Sequence, residues 1–118
     1  MGALSGRKKS GEFHSELGGV VTGSSGLTTN IVVPAGTIWR GVISFWGNVN
    51  ATSFPPAAVL NNGASFIYIT AQQNAGASGS AGYSQEVELN AGTWVFTGFS
   101  GFTGSSNNLA YAGNCYYK

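Results

Sequence analysis

Short stretches of β-branched and aromatic residues, separated by turn residues about every eight to twelve positions, most constrain how this chain can fold. Residues 84–89 alternate cleanly, with Val87 and Leu89 on one side and polar residues on the other. Residues 61–63 (NNG) form a strong hairpin-turn signal. No window has the period of an amphipathic helix. The pattern predicts an all-β fold of roughly seven or eight strands, in a β-sandwich or a barrel.

Residues 37–46 are apolar on both faces and therefore predict a central strand. Trp39, Ile43 and Phe45 share one face, while Ile38, Val42 and Trp46 share the other. We expect a second sheet to cover one face and a neighbouring subunit to cover the other. Gly41, in the middle of this strand, predicts a bulge or a close backbone approach. The aromatic residues expected in the core are Trp39, Phe45, Phe66, Trp94 and Phe96.

The N-terminal segment differs from the rest of the chain and predicts an extended arm over residues 1–26, followed by a β-domain over residues 27–118. Five of the nine charged residues lie within the first 17 positions: Arg7, Lys8, Lys9, Glu12 and Glu16. Phe13 and Leu17 are spaced to share a helical face, but Gly18 and Gly19 would end any helix that starts there. The arm is interpreted as an assembly segment that carries Arg7, Lys8, Lys9, Phe13 and Leu17.

Charge is sparse and balanced after residue 17, where only Arg40, Glu86, Glu88 and Lys118 are ionised. A neutral body lacks the basic footprint of a nucleic-acid-binding protein and the acidic cluster of a calcium site. No apolar stretch is long enough to predict a membrane span, and the N-terminus lacks the apolar region of a signal peptide. Cys115 is the only cysteine, so no internal disulfide is expected.

The inventory of reactive side chains argues against an enzyme. The chain has no Asp and a single histidine, His14, which lies in the predicted arm. A Ser-His-Asp triad therefore has no acid, and a Cys115–His14 pair would place the base on a mobile segment. Glu86 and Glu88 would lie about 7 Å apart on one strand face, which overlaps the spacing in inverting glycosidases. The pair is more typical of a solvated edge strand, so we expect no catalytic residue, metal or cofactor.

Aromatic residues at strand ends and in loops are the stronger candidates for contact with another molecule: Phe54, Tyr83, Phe99 and Phe102. Such rings stack on sugars or pack against another subunit. Subunit packing is the favoured interpretation, because aromatic residues are enriched at protein interfaces.

A short motif occurs twice, as residues 33–39 (VPAGTIW) and 89–95 (LNAGTWV). In each copy an apolar residue ends a strand, a glycine supplies the turn and a threonine opens an aromatic-bearing strand. The two copies are interpreted as equivalent corners of two sheets. These corners resemble those of jelly-roll and other β-sandwich domains, including C1q/TNF-like trimers. With its Gly-, Ser- and Asn-rich, charge-poor body, the chain resembles small bacteriophage virion surface proteins of the tail-fibre, tail-tip or head-decoration type.

This resemblance implies a jelly-roll-like sandwich that serves as a non-enzymatic structural or attachment protein of a virion. It implies a homo-oligomer, with a trimer favoured, that is made in the host cytoplasm. Other virion proteins would bind the N-terminal arm. The alternative is a free carbohydrate-binding module or lectin that recognises a cell-surface glycan.

Overall fold

The structure, a computed structural model, describes residues 9–23, 27–49, 57–70, 79–99 and 102–118. Every regular element in these ranges is a β-strand. The strands are β1 (Phe13–Gly23), β2 (Thr28–Val49), β3 (Ala57–Asn61), β4 (Phe66–Thr70), β5 (Gly79–Phe99) and β6 (Phe102–Tyr117). The prediction of an all-β fold is confirmed.

All six strands form one sheet in the order β1-β6-β2-β5-β3-β4, and every neighbouring pair is antiparallel. The hydrogen-bonded ladder is continuous, so the described strands do not divide into the two separate sheets of the predicted sandwich. β2 and β5 pair along most of their length at the centre of the sheet, with β1 and β6 beside β2 and with β3 and β4 beside β5.

Both long strands bend where the repeated motif occurs. The β2–β5 register shifts between Val33 and Ile38, so residues 34–37 of β2 lie opposite a single intervening residue of β5. Gly36 has φ 76° and Gly92 has φ 131°, conformations that favour glycine. The two motifs thus lie opposite each other on β2 and β5 and form a single bend of the sheet. It separates a four-strand half (β1, β6, residues 38–49 of β2 and 79–90 of β5) from a short-strand half (β3, β4, residues 28–33 of β2 and 92–99 of β5).

The bend folds the sheet back on itself. Tyr111 pairs with Ile43 in the four-strand half, yet its hydroxyl donates a 3.5 Å hydrogen bond to the backbone oxygen of Asn30. In a straight strand Asn30 and Ile43 would be roughly 40 Å apart. The two halves therefore face each other across one core.

The core draws on both halves. The short-strand half contributes Ile31, Val33, Ala58, Leu60, Ile69, Trp94 and Phe96, and the four-strand half contributes Trp39, Ile43, Phe45, Leu89, Leu109 and Cys115. Four of the five aromatic residues predicted for the core are buried. Phe66 was assigned wrongly, because Ile69 and the half-buried Ile67 occupy the inner face of β4 and alternation turns Phe66 outward.

The N-terminal segment contributes a strand to the sheet from residue 13 onward, which differs from the extended arm expected over residues 1–26. β1 pairs with β6 from Phe13 to Gly23, and the backbone of Tyr117 bonds to both Gly11 and Glu12. Glycine suits positions 18 and 19 of this strand because β1 passes close to Tyr111 there. An added β-carbon would lie 2.9 Å from the Tyr111 backbone oxygen at Gly18 and 3.1 Å from its hydroxyl at Gly19.

Candidate functional site

The outer face of the four-strand half, here called the charged face, carries the glutamates and the arginine of the described strands. Strand pairing aligns Glu16, Asn114, Arg40 and Glu88 in one row across four strands. The next row consists of Gly18, Ala112, Val42 and Glu86. Three glutamates and one arginine thus give this face a net charge of −2.

An ion pair occupies the centre of the charged face. Arg40 Nε donates to Glu88 Oε2 over 2.8 Å, and the two side chains are 59% and 55% exposed. The Arg40 guanidinium also lies 5.7 Å from the ring centroid of Tyr116. Glu86 and Glu88 both point outward, as predicted. Glu88 is thus ion-paired with Arg40 on an open surface of the sheet.

Two shallow grooves formed by described residues lie on the charged face. One, of about 490 Å³, is lined by residues 40–42 and 86–88. The other, of about 430 Å³, is lined by residues 16–18 and 112–114. Among the described residues, no three His, Cys, Asp or Glu side chains converge on a metal-sized site. The grooves are acidic, open depressions rather than an enclosed pocket.

The outer face of the short-strand half, here called the uncharged face, has no Asp, Glu, Lys, Arg or His in its described strands. Pairing places Tyr68, Val59, Thr97 and Thr28 in one row, and Phe66, Asn61, Val95 and Asn30 in the next. Phe66 is 55% exposed and Tyr68 is 67% exposed. Exposed rings among hydroxyl and amide groups are typical of a surface that binds another molecule without charge pairing.

β4 presents these two rings at an open edge of the sheet. The rings are nearly parallel, with centroids 6.2 Å apart and an interplanar angle of 16°. The predicted turn at residues 61–63 holds β4 in place. Asn61 Oδ1 accepts from the Gly63 amide, and Asn62 Oδ1 accepts from the amides of Ala64 and Ser65. A turn locked by its own side chains fixes the position of the aromatic pair.

Of the four aromatic contact residues predicted from sequence, Tyr83 alone has a described side chain. It lies on β5, is 41% exposed and contacts the buried Phe45 ring at a centroid distance of 6.1 Å. Phe99 is the last residue of β5 and Phe102 is the first residue of β6, and the structure does not describe their side chains. Phe54 lies outside the described residues.

The predicted assembly residues take different roles. Arg7 and Lys8 lie outside the described residues, and Lys9 is exposed just before a turn in which its carbonyl accepts from Glu12. Phe13 is exposed and meets the Tyr116 ring edge-on. Leu17 packs against the core, and its carbonyl accepts a 3.0 Å hydrogen bond from Trp39 Nε1. Leu17 therefore belongs to the fold rather than to a free docking segment.

His14 and Cys115 both lie at the β1–β6 end of the sheet but make different contacts. Cys115 is completely buried in the core and pairs in register with Ser15. The His14 ring meets Tyr117 edge-on, and its Nδ1 lies 2.7 Å from the Ser15 hydroxyl. A core cysteine without access to solvent is a small apolar side chain rather than a nucleophile.

Sequence reasoning missed the aromatic pair on β4. The alternation of residues 66–70 (FIYIT) places Phe66 and Tyr68 on one side, and the preceding hairpin turn makes β4 the second strand of a hairpin. The alternation and the turn together show that Phe66 and Tyr68 share one face of β4, but they do not show whether that face is buried or exposed.

Comparisons with known proteins add no relationship: no family model, curated protein or solved structure matches this chain. In the ranges that the structure describes, no helix is long and apolar enough to cross a membrane.

Proposed function

We propose that this chain is a non-enzymatic structural or attachment protein that works as a homo-oligomer in a larger particle, a bacteriophage virion being the best candidate. The observation that carries the proposal is the uncharged face, where Phe66 and Tyr68 stand exposed on an open edge strand. Burying two large rings on association removes apolar area from water, and no charge on that face has to be desolvated.

The charged face supports the same proposal from the other side of the molecule. Covering that surface would desolvate an ion pair and two further glutamates, so association is favoured at the opposite face. A subunit with one wet face and one contact face suits a protein that coats or decorates a particle.

The N-terminal residues supply a second attachment point in this proposal. Arg7, Lys8 and Lys9 precede β1, so they form a basic segment that docks on an acidic surface of another virion protein. Deleting residues 1–8 leaves β1 intact and should abolish incorporation into the particle without changing the melting temperature of the isolated chain. Normal incorporation of the deleted protein would contradict this part of the proposal.

Sedimentation velocity across the micromolar range tests the oligomer. The wild type should sediment as an oligomer, and Phe66→Ser should shift it toward monomer. Trp46→Ser is the matched control, because Trp46 is a 42% exposed aromatic residue on the charged face. A wild type that remains monomeric throughout this range would contradict the proposal.

A glycan-binding function is the second candidate, favoured by the exposed rings beside Asn61 and Thr97. Sugars stack on such rings while amides and hydroxyls bond to their hydroxyl groups. A glycan array would show a defined sugar class, and Tyr68→Ala would remove the signal while Tyr83→Ala retained it. An array without any bound glycan would remove this candidate.

A further inference from the structure

The outer edge of β4 offers unpaired backbone groups. The Asn62 amide donates to the Ser65 carbonyl, so this pair closes the β3–β4 hairpin with a hydrogen bond. Hydrogen-bonded and non-bonded pairs alternate along an antiparallel ladder, which makes Ile67 and Ile69 the residues bonded to β3. The amides and carbonyls of Phe66, Tyr68 and Thr70 therefore point away from β3. Within the described residues, no strand pairs with that edge.

The two edges of the sheet are protected to different degrees. β1, at the far edge, carries Glu16 and has an irregular register between Phe13 and Ser15. Charges and bulges are the features that prevent edge strands from pairing with other chains. β4 has no charge, no proline and no bulge in its five residues. It is the edge suited to accept another strand.

We propose that the β4 edge pairs in antiparallel orientation with the β4 edge of a second copy of this chain. A two-fold axis at Tyr68 places Tyr68 opposite its own equivalent and Phe66 opposite Thr70. All three residues then present their free amides and carbonyls to one another, and the two sheets become one. The pairing rests on the proposed homo-oligomeric function and specifies its interface.

A second copy fits this edge because the strand is self-complementary. On the outer face, aromatic rings meet across the axis, and on the inner face Ile67 lies opposite Ile69. Aromatic and β-branched cross-strand pairs stabilise antiparallel ladders. No like charges meet, because the strand has none. Self-pairing of β1 would instead bring Glu16 side chains toward each other.

Lysine substitutions distinguish association through the β4 edge from association in which two uncharged faces stack on each other. Tyr68→Lys places two positive charges opposite each other at the axis and should convert the oligomer to monomer. Val32→Lys, on an inner strand of the same face, and Val20→Lys, on β1, are matched controls because both valines are exposed. Both controls should sediment as the wild type does. Tyr68→Pro, which removes an amide that points away from β3 and has no partner strand among the described residues, should also give monomer, with circular dichroism verifying the fold.

Disulfide trapping tests the register. Tyr68→Cys places two thiols opposite each other across the axis, so mild oxidation should give a covalent dimer on a non-reducing gel. Phe66→Cys is the control, because its equivalent lies on the far side of the axis and should remain uncrosslinked. The native Cys115 is completely buried and does not compete.

The outcomes distinguish the two proposals. A monomeric wild type contradicts both of them. An oligomer that dissociates with Val32→Lys but not with Tyr68→Lys keeps the proposed function and overturns the edge pairing in favour of face stacking. A strictly trimeric wild type, or crosslinking of Phe66→Cys without Tyr68→Cys, also overturns the two-fold pairing.

Discussion

The two outer faces of the folded sheet cover the same core but differ in charge. The charged face carries Arg40 and three glutamates, whereas the uncharged face has no charged residue in its described strands. The uncharged face also ends in the short, unprotected strand β4, while the charged face ends in β1 with its glutamate and irregular register. The contrast suggests that hydration and contact are assigned to opposite surfaces of one small protein.

The two halves also differ in the hydrogen bonds that their buried tryptophans donate. Trp39 of the four-strand half donates from Nε1 to the Leu17 carbonyl and so reaches the edge strand β1. Trp94 of the short-strand half donates to the Asn90 carbonyl within its own strand, at the bend. Trp39 joins separate strands, whereas Trp94 stabilises a corner.

Replacement of each tryptophan by alanine gives the largest expected effect and tests this difference. Each substitution should lower the free energy of unfolding by about 3–5 kcal/mol, because a large buried ring leaves a cavity. Each substitution also leaves one backbone carbonyl without its donor, that of Leu17 for Trp39 and that of Asn90 for Trp94, so the two costs should be similar and the difference should appear in the protection of β1. Urea unfolding followed by far-ultraviolet circular dichroism measures both values.

Hydrogen exchange provides the control for that comparison. Amides of β1 should lose protection in Trp39→Ala and retain it in Trp94→Ala, since only Trp39 contacts β1 through a hydrogen bond. Trp39→Phe keeps most of the ring volume without the donor and should fall between wild type and Trp39→Ala. Equal β1 protection in the two alanine variants would remove the distinction between the two halves.

Gly41→Ala should produce the next largest effect, a loss of about 1–3 kcal/mol from overpacking. A β-carbon at Gly41 would overlap the Trp39 ring and the Ala112 carbonyl oxygen, which confirms the close approach expected from sequence. Thermal unfolding measures the loss. The cost should shrink in the Trp39→Phe background, because a smaller ring leaves room for the new methyl group.

The matched control for this substitution is Gly36→Ala at the bend. No atom lies within 4 Å of a β-carbon at Gly36, but its φ of 76° strains an alanine by about 1–2 kcal/mol. Its cost should be the same in the wild-type and Trp39→Phe backgrounds. A cost that changed with Trp39 would mean that packing and backbone strain are coupled through the bend.

Local patterns predicted much of this fold. Alternation and turn residues predicted an all-β chain and the turn at residues 61–63. The two motifs were predicted to be corners of two sheets, whereas they meet in one bend of a single sheet. The exposure of Phe66 could not be predicted, because alternation shows which residues share a face but not which face is buried. The inner side of β4 is determined by contacts with distant strands, which local sequence does not contain.

The N-terminal strand was missed for a related reason. Gly18 and Gly19 read as helix and strand terminators, yet each permits a close approach to Tyr111, more than ninety residues later in the chain. Only the pairing of β1 with β6 shows that a side chain at position 18 would meet the Tyr111 backbone, and that one at position 19 would press on the Tyr111 ring. The aromatic pair on β4 was missed in the same way. A strand lies at the edge of a sheet when no other strand pairs with one of its sides, and the local sequence does not show this.

The smallest expected effect concerns the ion pair at the centre of the charged face. A double-mutant cycle with Arg40→Ala and Glu88→Ala should give a coupling energy of about 0.2–1 kcal/mol, because both side chains are more than half exposed. High salt should reduce that coupling further. Urea unfolding of the four proteins at low and high salt measures it.

The hydroxyl pair of Ser44 and Ser84, on the same two strands, is the neutral control. Their oxygens are 2.9 Å apart, and coupling between them should not change with salt. If the Arg40–Glu88 coupling instead exceeded about 2 kcal/mol and persisted in high salt, it would lie outside the range of exposed pairs. The charges would then stabilise the four-strand half itself, and the difference between the two faces would reflect folding rather than a division between hydration and contact.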